Sequence, residues 1–390
     1  MACIGVAVWW LHRGGRGVAC IGVAVWWLHR GGQRWLYRGG RGMRNRDMSK
    51  LQIGVIGAGW FASRRHLPEL RSLPDAEIAA LCRRNPEKLA QMAAHFGVKR
   101  TYTDYRQMLE EMELDGVLIA TPHALHYEQA KAALERGIPV LVEKPMTVTV
   151  AQGRELVALA EERGLPLLVA LNPPYWRHCH ALRERIQSGA VGEIEAADLR
   201  WTGNVEGVFG RVALPDSLPG LVSPTLFRAD PALSGGGHLM DSGSHQVCEL
   251  LWVTERRAVE VMALMDDLPV DLRYTLSVRL DNGALCTLNS LGDSHCPVRR
   301  VHNVYYGSKG TLTVDGMPFR LTWQEPEGEP ATRAEEDLPP VPGPVTNFVD
   351  VLRGRAEPLC RGQDGLAVVA LIEAAYESAR TGKGVEVVEV

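Results

Sequence analysis

Short apolar runs alternate with amphipathic segments between residue 51 and about residue 172. Buried parallel strands read as continuous apolar runs, whereas helices repeat their apolar positions every three to four residues. This alternation predicts a doubly wound parallel sheet of the α/β class. The predicted strands are 51–57, 76–81, 115–120, 139–142 and 166–170, and the predicted helices are 60–71, 86–96, 104–112, 124–136 and 150–163.

The pattern changes after Asn172, where longer strand-like segments become frequent and helices become fewer. Asp281-Asn282-Gly283, which separates two of these segments, is typical of a tight hairpin turn. Residues 325–344 are rich in proline and glutamate and are predicted to form an exposed loop. We therefore expect an α+β domain with a mostly antiparallel, open sheet. Its predicted strands are 194–201, 258–265, 271–280, 284–291, 300–307 and 310–314, and its predicted helices are 181–188, 245–252 and 364–381.

The domain boundaries follow from these patterns. Residues 48–172 are predicted to form a dinucleotide-binding Rossmann domain, and residues 173–390 a substrate and oligomerisation domain. We expect the final helix, at about 364–381, to pack back on the first domain. Residues 2–15 recur letter for letter at 19–32, and two copies are too few to stack as a repeat array. Residues 1–47 are therefore interpreted as a disordered or artefactual extension, with an interaction arm as the alternative.

Charge and composition exclude several classes of partner. Residues 1–46 carry eight arginines and no acid, and the remainder of the 390-residue chain has a net charge of −11. An acidic body argues against nucleic acid as a partner. The sequence contains no apolar run of about 18 residues, so no membrane span is expected. Eight cysteines without a C-x-x-C pair indicate reduced thiols and a cytoplasmic protein.

One short cluster could suggest a metal site. His178-Cys179-His180 places three ligand-type side chains in a row. Adjacent residues on a helix point in different directions, so this triplet cannot close around one ion by itself. We therefore predict no metal site.

A glycine-rich turn follows the first predicted strand. Gly57-Ala58-Gly59-Trp60-Phe61-Ala62 fits the pattern G-x-G-x-x-G/A and opens a helix. The first glycine permits the tight turn, the second admits the pyrophosphate, and the alanine allows close packing of helix on strand. The helix N-terminus favours the anion. The predicted cofactor-binding residues here are Gly57, Gly59, Trp60, Phe61 and Ala62.

The end of the second strand favours one cofactor over another. NAD-binding proteins usually carry an acid there, which binds the ribose 2′-hydroxyl. This chain has Arg83 and Arg84 instead, and two guanidinium groups can hold a 2′-phosphate. NADP is therefore favoured over NAD, although two solvated surface arginines would give the same pattern.

The ends of later strands supply further candidates. Ligands of open α/β sheets bind at the carboxyl ends of the strands. The third predicted strand ends at Thr121-Pro122-His123, with His126 one turn later, and the fourth ends at Glu143-Lys144. We expect all six residues to contribute to the cofactor site.

Three side chains suit proton transfer. Lys144 at a strand end can carry a proton or stabilise a developing alkoxide. Asp241 and His245 are four residues apart, a spacing that places both on one face of a helix. The hypothesis is that His245 takes the hydroxyl proton as hydride leaves the same carbon, while Asp241 orients its ring. A surface lysine and a plain Asp–His surface pair are the alternatives.

The sequence resembles the glucose–fructose oxidoreductase/inositol dehydrogenase (Gfo/Idh/MocA) family over residues 50–390. The resemblance rests on GVIGAGWFA, ATPHALHYEQAKAALERGIPVLVEKP and GGGHLMDSGSH, in that order. It implies a Rossmann domain, then a sheet domain whose open face supports homo-oligomers, dimers or tetramers. It also implies that Lys144, Asp241 and His245 form the catalytic trio. The substrate-binding residues that it implies are Lys144, Tyr175, Arg177, Arg228, Asp241 and His245, with Trp176 in the same segment.

Two departures from the family pattern affect these expectations. Cys248 stands where members often have an acid, three residues after the histidine. Arg83 and Arg84 replace the acid that NAD-preferring members often carry.

We expect an NAD(P)-dependent oxidoreductase that transfers a hydride between nicotinamide and a secondary alcohol or ketone of a sugar, inositol or related polyol. One alternative is a sugar hydrolase or epimerase that retains its nicotinamide. The other is a non-catalytic NAD(P)-binding regulator, which would have no use for a proton relay.

Overall fold

A computed structural model describes residues 49–214, 220–295 and 299–390 of the chain. The extension predicted at residues 1–47 lies outside the described residues. Within the described part, no helix has both the length and the apolar character needed to cross a bilayer.

Six parallel strands form the first sheet, in the order β3-β2-β1-β4-β5-β6. The strands are buried on both faces by helices, which explains their continuous apolar runs. The doubly wound sheet predicted from the sequence is thereby confirmed. Its strands are β1 Leu51–Ile56, β2 Ala76–Cys82, β3 Thr101–Tyr102, β4 Gly116–Ile119, β5 Val140–Val142 and β6 Leu167–Val169, and its helices are α1 Trp60–Arg64, α2 His66–Ser72, α3 Pro86–Phe96, α4 Tyr105–Glu111, α5 His126–Glu135 and α6 Val150–Arg163.

The helix predicted at 60–71 is divided in two at Arg65, which has φ −127° and ψ −67°. Pro68 lies in the first turn of α2 and has no N–H to donate to the carbonyl of residue 64. A continuous helix would lose that bond, whereas proline is tolerated in the first turn of a new one. The break therefore follows from Pro68.

Nine strands form the second sheet, in the order β14-β13-β12-β11-β7-β10-β9-β8-β15. All neighbours are antiparallel except β7 and β10. The mostly antiparallel sheet is confirmed. Its strands are β7 Ile194–Thr202, β8 Ala258–Met265, β9 Arg273–Leu280, β10 Leu285–Leu291, β11 Arg300–Gly307, β12 Gly310–Gly316, β13 Phe319–Gln324, β14 Ala331–Ala334 and β15 Val385–Glu386, and the helices of this part are α7 Arg177–Gln187, α8 Pro231–Ser234, α9 Ser244–Thr254, α10 Pro344–Leu352 and α11 Gly362–Thr381.

The segment predicted as a loop at 325–344 contains β14. This short strand pairs only with β13 and lies at the edge of the sheet. Edge strands carry charge and few apolar residues, so their sequence resembles that of a loop. The prediction of a loop over the whole segment was wrong for this reason.

The last long helix, α11, contacts elements of both sheets. Glu373 accepts a hydrogen bond from the backbone N–H of Val150 at the start of α6, at 2.9 Å. Ser378 accepts one from Ala263 of β8, also at 2.9 Å. These two bonds join α6 and β8 to the same helix. In this arrangement the carboxyl end of β5 faces the segment that leads into α9.

Candidate active site

Lys144 lies two residues after the end of β5 and is almost completely buried. Its Nζ donates to Oδ1 of Asp241 at 2.7 Å and to the backbone carbonyl of Asp241 at 2.9 Å. Asp241 lies in a π-helical turn, Leu239–Gly243, which precedes α9. Such turns are frequent at functional sites. The first two members of the predicted trio therefore form a buried ion pair across the two parts of the molecule.

Asp241 is the centre of a group of cationic and imidazole side chains. Its Oδ2 accepts a 2.7 Å hydrogen bond from Nε of Arg228, and Nε2 of His123 lies 3.5 Å from Oδ1. Burial alone would raise the pKa of Asp241, but the charges of Arg228 and Lys144 hold it well below its ordinary value. Asp241 is thus a carboxylate that orients Lys144 and Arg228 together.

The predicted pairing of Asp241 with His245 is not formed. The backbone N–H of Asn172 donates to Nδ1 of His245 at 3.2 Å. The side-chain Nδ2 of Asn172 lies 3.4 Å from Nε2, and because Nδ2 can only donate, it does not accept a proton from Nε2. Charged donors make stronger hydrogen bonds to a carboxylate than a neutral imidazole does, so Lys144 and Arg228 occupy Asp241. The orienting partner of His245 is Asn172, and this corrects the prediction.

The protonation state of His245 follows from these contacts. Burial, then the charges of Lys144 and Arg299, lower the pKa of His245 well below its ordinary value. The ring is therefore neutral. Because Nδ1 accepts the Asn172 N–H, the one proton of the neutral ring resides on Nε2. His245 in this arrangement is a hydrogen-bond donor.

The glycine run before the π-helical turn packs too closely for side chains. A Cβ on Gly237 would lie 2.2 Å from the backbone nitrogen of Asp271, and one on Gly236 would lie 2.5 Å from the hydroxyl of Tyr376. Tyr376 donates to Asp271 at 2.6 Å and accepts from the N–H of Gly237 at 2.9 Å. The run thus fixes the turn that carries Asp241 against β9 and α11.

The buried ring of His238 should make the free energy of unfolding depend on pH, and this dependence tests its burial. Burial lowers its pKa from 6.5 to about 4, and Nε2 bonds the hydroxyl of Ser290 at 2.9 Å. Between pH 6.5 and 4 the unfolded chain binds a proton that the folded protein does not, so the free energy of unfolding falls as pH falls. We expect this ring to account for a loss on the order of 3 kcal/mol.

In His238→Gln the decline in the free energy of unfolding below pH 6.5 is expected to be shallower by that amount. Urea denaturation at several pH values measures it. An unchanged slope in His238→Gln would show that His238 takes up its proton in the folded protein.

The glycine fingerprint lies between the ends of β1 and β4. Gly57 has φ +90°, and a Cβ there would lie 2.6 Å from the carbonyl carbon of Ala120. Glycine is needed for both the backbone angle and the close approach. A Cβ on Gly59 would come within 3.2 Å of Nη1 of Arg83. Ala62 is fully buried, as close packing of α1 requires.

Arg83 and Arg84 have different surroundings. Nη1 of Arg83 donates to the carbonyl of Ala58 at 2.8 Å, which brings the guanidinium against the fingerprint turn. Its Nε is buried and has no hydrogen-bond partner among the described residues. Arg84 is exposed. An unpartnered guanidinium nitrogen beside the turn fits an anionic group of a dinucleotide.

The strand-end residues divide into two groups. His123 faces the trio, and its Nδ1 bonds the carbonyl of Ser234 at 2.8 Å. His126 is fully buried, and its ring lies between two carbonyls, with Nδ1 2.8 Å from that of Pro145 and Nε2 2.9 Å from that of Thr121. His126 therefore joins the ends of β4 and β5 internally and leaves no ring nitrogen for a cofactor, contrary to the prediction.

A cleft of about 330 Å³ adjoins the buried trio. Glu143 and Asn172, the neighbours of Lys144 and His245, are part of its wall, and Tyr175 and Trp176 form another side. Glu143 bonds Nε2 of His66 at 2.5 Å. The volume is within the range of small-ligand sites. The full lining is Phe61, Arg64, Arg65, His66, Glu69, Glu143, Ala170, Asn172, Tyr175, Trp176, Gly343 and Pro344.

Arg177 is not brought to the trio. Its Nη1 donates to the carbonyls of Glu336 and Leu338, each at 3.3 Å, and so anchors the segment after β14. The substrate contact that the family resemblance implied for Arg177 does not fit this geometry.

Sequence reasoning missed three residues of the site. Asn172 follows β6, and the rule that ligands bind beyond strand ends would have identified it. His66 lies one turn after the fingerprint and had no motif of its own. Arg299 precedes β11 and is close to Asp241 and His245 only through the tertiary fold.

Comparison with known proteins gives a consistent result. Residues 51–171 match the model of the oxidoreductase family with an NAD-binding Rossmann fold, and residues 179–313 match the GFO/IDH/MocA C-terminal domain. The D-apiose dehydrogenase of Paraburkholderia graminis is 28% identical over 87% of this chain and 90% of its own. The dTDP-3,4-didehydro-2,6-dideoxy-alpha-D-glucose 3-reductase of Streptomyces violaceoruber is 31% identical over 68% and 72%.

Among solved structures, an oxidoreductase domain protein from Kribbella flavida superposes with a TM-score of 0.76. It is 24% identical, and the match covers 88% of this chain and 100% of that one. This likeness supports the fold. With the family models and the relatives, it establishes that the chain belongs to the Gfo/Idh/MocA oxidoreductase family.

Proposed function

We propose that the chain is an NAD(P)-dependent oxidoreductase that transfers a hydride between nicotinamide and a secondary alcohol or ketone of a sugar or related polyol. The buried ion pair between Lys144 and Asp241 at the carboxyl end of β5 carries this proposal. That edge of a Rossmann sheet is where a dinucleotide binds. The nicotinamide, when bound there, supplies or accepts the hydride.

Lys144 is proposed to bind the substrate oxygen and move its proton. The hydrogen bond to Asp241 fixes the position of Nζ, from which a proton can pass to a carbonyl oxygen as hydride reaches the carbon. In the reverse direction the same nitrogen receives the hydroxyl proton. Arg228, the second cation on Asp241, keeps that carboxylate charged and in place throughout.

His245 is proposed to donate a second hydrogen bond to the same oxygen from Nε2. The Asn172 N–H holds the ring in the required tautomer. A preorganised donor of this kind stabilises negative charge that develops on oxygen. This role replaces that of the general base predicted from the sequence.

The substrate class is inferred from the cleft and from the relatives. The cleft offers carboxylate, amide, imidazole and aromatic side chains, which suit a ligand with several hydroxyl groups. Relatives named as D-apiose dehydrogenase and D-xylose 1-dehydrogenase (NADP(+)) 2 match over 87% and 86% of this chain. A polyhydroxylated substrate agrees with both observations.

NADP is proposed as the preferred cofactor, with Arg83 as the residue that contacts the 2′-phosphate. Its buried, unpartnered Nε and its position against the fingerprint turn support this assignment. Arg83→Asp is expected to shift the ratio of kcat/KM for NADP over NAD toward NAD by roughly 10- to 100-fold, because it removes a charge-assisted contact and adds repulsion.

Arg84→Asp is the matched control for that substitution. It introduces the same charge change at an exposed neighbour and should shift the ratio less. Steady-state rates with both cofactors measure the ratio. Equal discrimination in Arg83→Asp and wild type would remove Arg83 from cofactor recognition.

A homo-oligomeric, cytoplasmic protein is also proposed. The outer face of the second sheet exposes apolar side chains that cross-strand pairing places on one surface. Leu264 is 70% and Leu285 57% exposed, and Met262 and Tyr306 lie on the same face. Such a surface is favourable for association with a second copy.

A spectrophotometric screen tests the function. Sugars, inositols and keto-sugars are supplied with oxidised or reduced NADP and NAD, and absorbance of the reduced nicotinamide is followed. We expect turnover that depends on added cofactor. Conversion of a sugar without added cofactor, by protein carrying tightly held nicotinamide, would instead support the hydrolase or epimerase alternative.

A further inference from the structure

A second group of reactive side chains lies in the interior, between α7 and α9. His178, Cys179 and Glu249 bring a ring nitrogen, a thiol sulfur and a carboxylate oxygen within 4.8 Å of one another. All three residues are at most 1% exposed. The proposed hydride transfer uses none of them.

Two of these atoms have no hydrogen-bond partner among the described residues. They are Nε2 of His178 and Oε2 of Glu249. Leaving a buried polar atom without a partner is destabilising, and native proteins rarely tolerate two such atoms together. The pair of unpartnered atoms therefore indicates a missing species between them.

The other polar side-chain atoms of His178 and Glu249 form hydrogen bonds to residues outside the group. Nδ1 of His178 bonds Oε1 of Glu335 at 3.1 Å, so Nδ1 carries the proton and Nε2 presents a lone pair. Oε1 of Glu249 accepts from Asn303 at 2.7 Å and from Tyr305 at 3.0 Å. When one ring nitrogen of a histidine binds a metal, the other commonly donates a hydrogen bond to a carboxylate, which fixes the orientation of the ring.

We propose that His178, Cys179 and Glu249 bind a structural divalent metal ion of the zinc type. A nitrogen, a sulfur and an oxygen ligand together suit Zn²⁺, which is intermediate in softness. A thiolate and a carboxylate would also balance the two positive charges of the ion, so the buried site would be electrically neutral.

This inference revises the prediction of no metal site. His180 is still not a ligand, because its Nε2 bonds the carbonyl of Pro174 at 2.8 Å. The third ligand comes instead from Glu249, which follows His245 by four residues on α9. Sequence spacing does not predict Glu249 as a ligand, because it lies 70 positions after Cys179.

The position of the site suggests a structural role. The ring of His178 stacks on Trp176 with centroids 5.3 Å apart, and Trp176 lies 6.4 Å from the ring of His245.

The full chain, purified without a polyhistidine tag, is incubated with Zn²⁺, passed through gel filtration and analysed for metal by mass spectrometry. We expect about one zinc per chain, with His178, Cys179 and Glu249 filling three of its four tetrahedral positions. Cys179→Ser and Glu249→Gln should each retain at least tenfold less. Cys286→Ser is the matched control, because Cys286 is equally buried but lies on β10 and should leave zinc content unchanged.

Loading wild type with Co²⁺ gives a second readout that needs no variant. A thiolate ligand produces a sulfur-to-cobalt charge-transfer absorption in the near ultraviolet, so its appearance supports the site even if Cys179→Ser does not fold. Wild type that retains neither zinc nor this absorption would overturn the proposal and leave a buried water as the missing species. Equal zinc content in Cys179→Ser, Glu249→Gln and Cys286→Ser would also overturn it.

Discussion

Lys144→Ala is expected to lower turnover by roughly 10²- to 10⁴-fold while the cofactor still binds. The substitution removes the group that we propose holds and moves the proton of the substrate oxygen. Asp241 keeps its 2.7 Å bond to Arg228, so the carboxylate is not left buried without a cation and the fold should persist. Single-turnover rates measure the loss, and calorimetric titration with the cofactor measures binding.

Lys131→Ala is the matched control for this substitution. Lys131 lies on α5, where it pairs with Glu155 at 2.5 Å on the surface. We expect wild-type turnover from this variant. If Lys144→Ala kept normal activity, Lys144 would have no part in proton transfer, and the ion pair with Asp241 would be purely structural.

His245→Ala is expected to lower turnover by roughly 10²-fold or more, the usual effect of removing one preorganised donor. His245→Gln should retain at least tenfold more activity than His245→Ala, because a glutamine amide can still donate a hydrogen bond. A general base would show no such difference, since neither glutamine nor alanine can take a proton. The ratio of the two variants therefore separates the two roles of this residue.

The pH profile supplies an independent check on His245. Burial and the nearby cations hold its pKa well below the ordinary value, so the ring stays neutral across the region near pH 6.5. Wild-type turnover should show no ionisation from this ring near that pH. Equal inactivity of His245→Gln and His245→Ala, with an ionisation near pH 6.5 that both variants lose, would restore the general base predicted from the sequence.

The elements that sequence predicted best are those whose pattern is local. The continuous apolar run of β1 and the glycine turn after it needed no tertiary information. The break between α1 and α2 was missed, although Pro68 is a local signal for it. The edge strand β14 was missed because its few exposed residues lack an apolar alternation.

The contacts within the site depend on which side chains compete successfully for Asp241. Spacing along the sequence does not show the outcome of that competition. Asp241 and His245 have the spacing of a pair, yet Lys144 and Arg228 reach Asp241 from distant segments and displace the imidazole. The partner of His245 comes from the end of β6, and the charge of Arg299 comes from the start of β11. Spacing selected the candidate residues, and the tertiary fold decided which of them interact.

The most direct measurement is a crystal structure of the protein with reduced NADP and a bound keto-sugar or polyol. The account predicts that C4 of the nicotinamide and the reacting carbon meet beside the Lys144–Asp241 pair. Lys144 Nζ and His245 Nε2 should both lie within about 3.2 Å of the oxygen on that carbon. A cofactor whose nicotinamide lies away from this pair, or a substrate oxygen that neither nitrogen reaches, would contradict it.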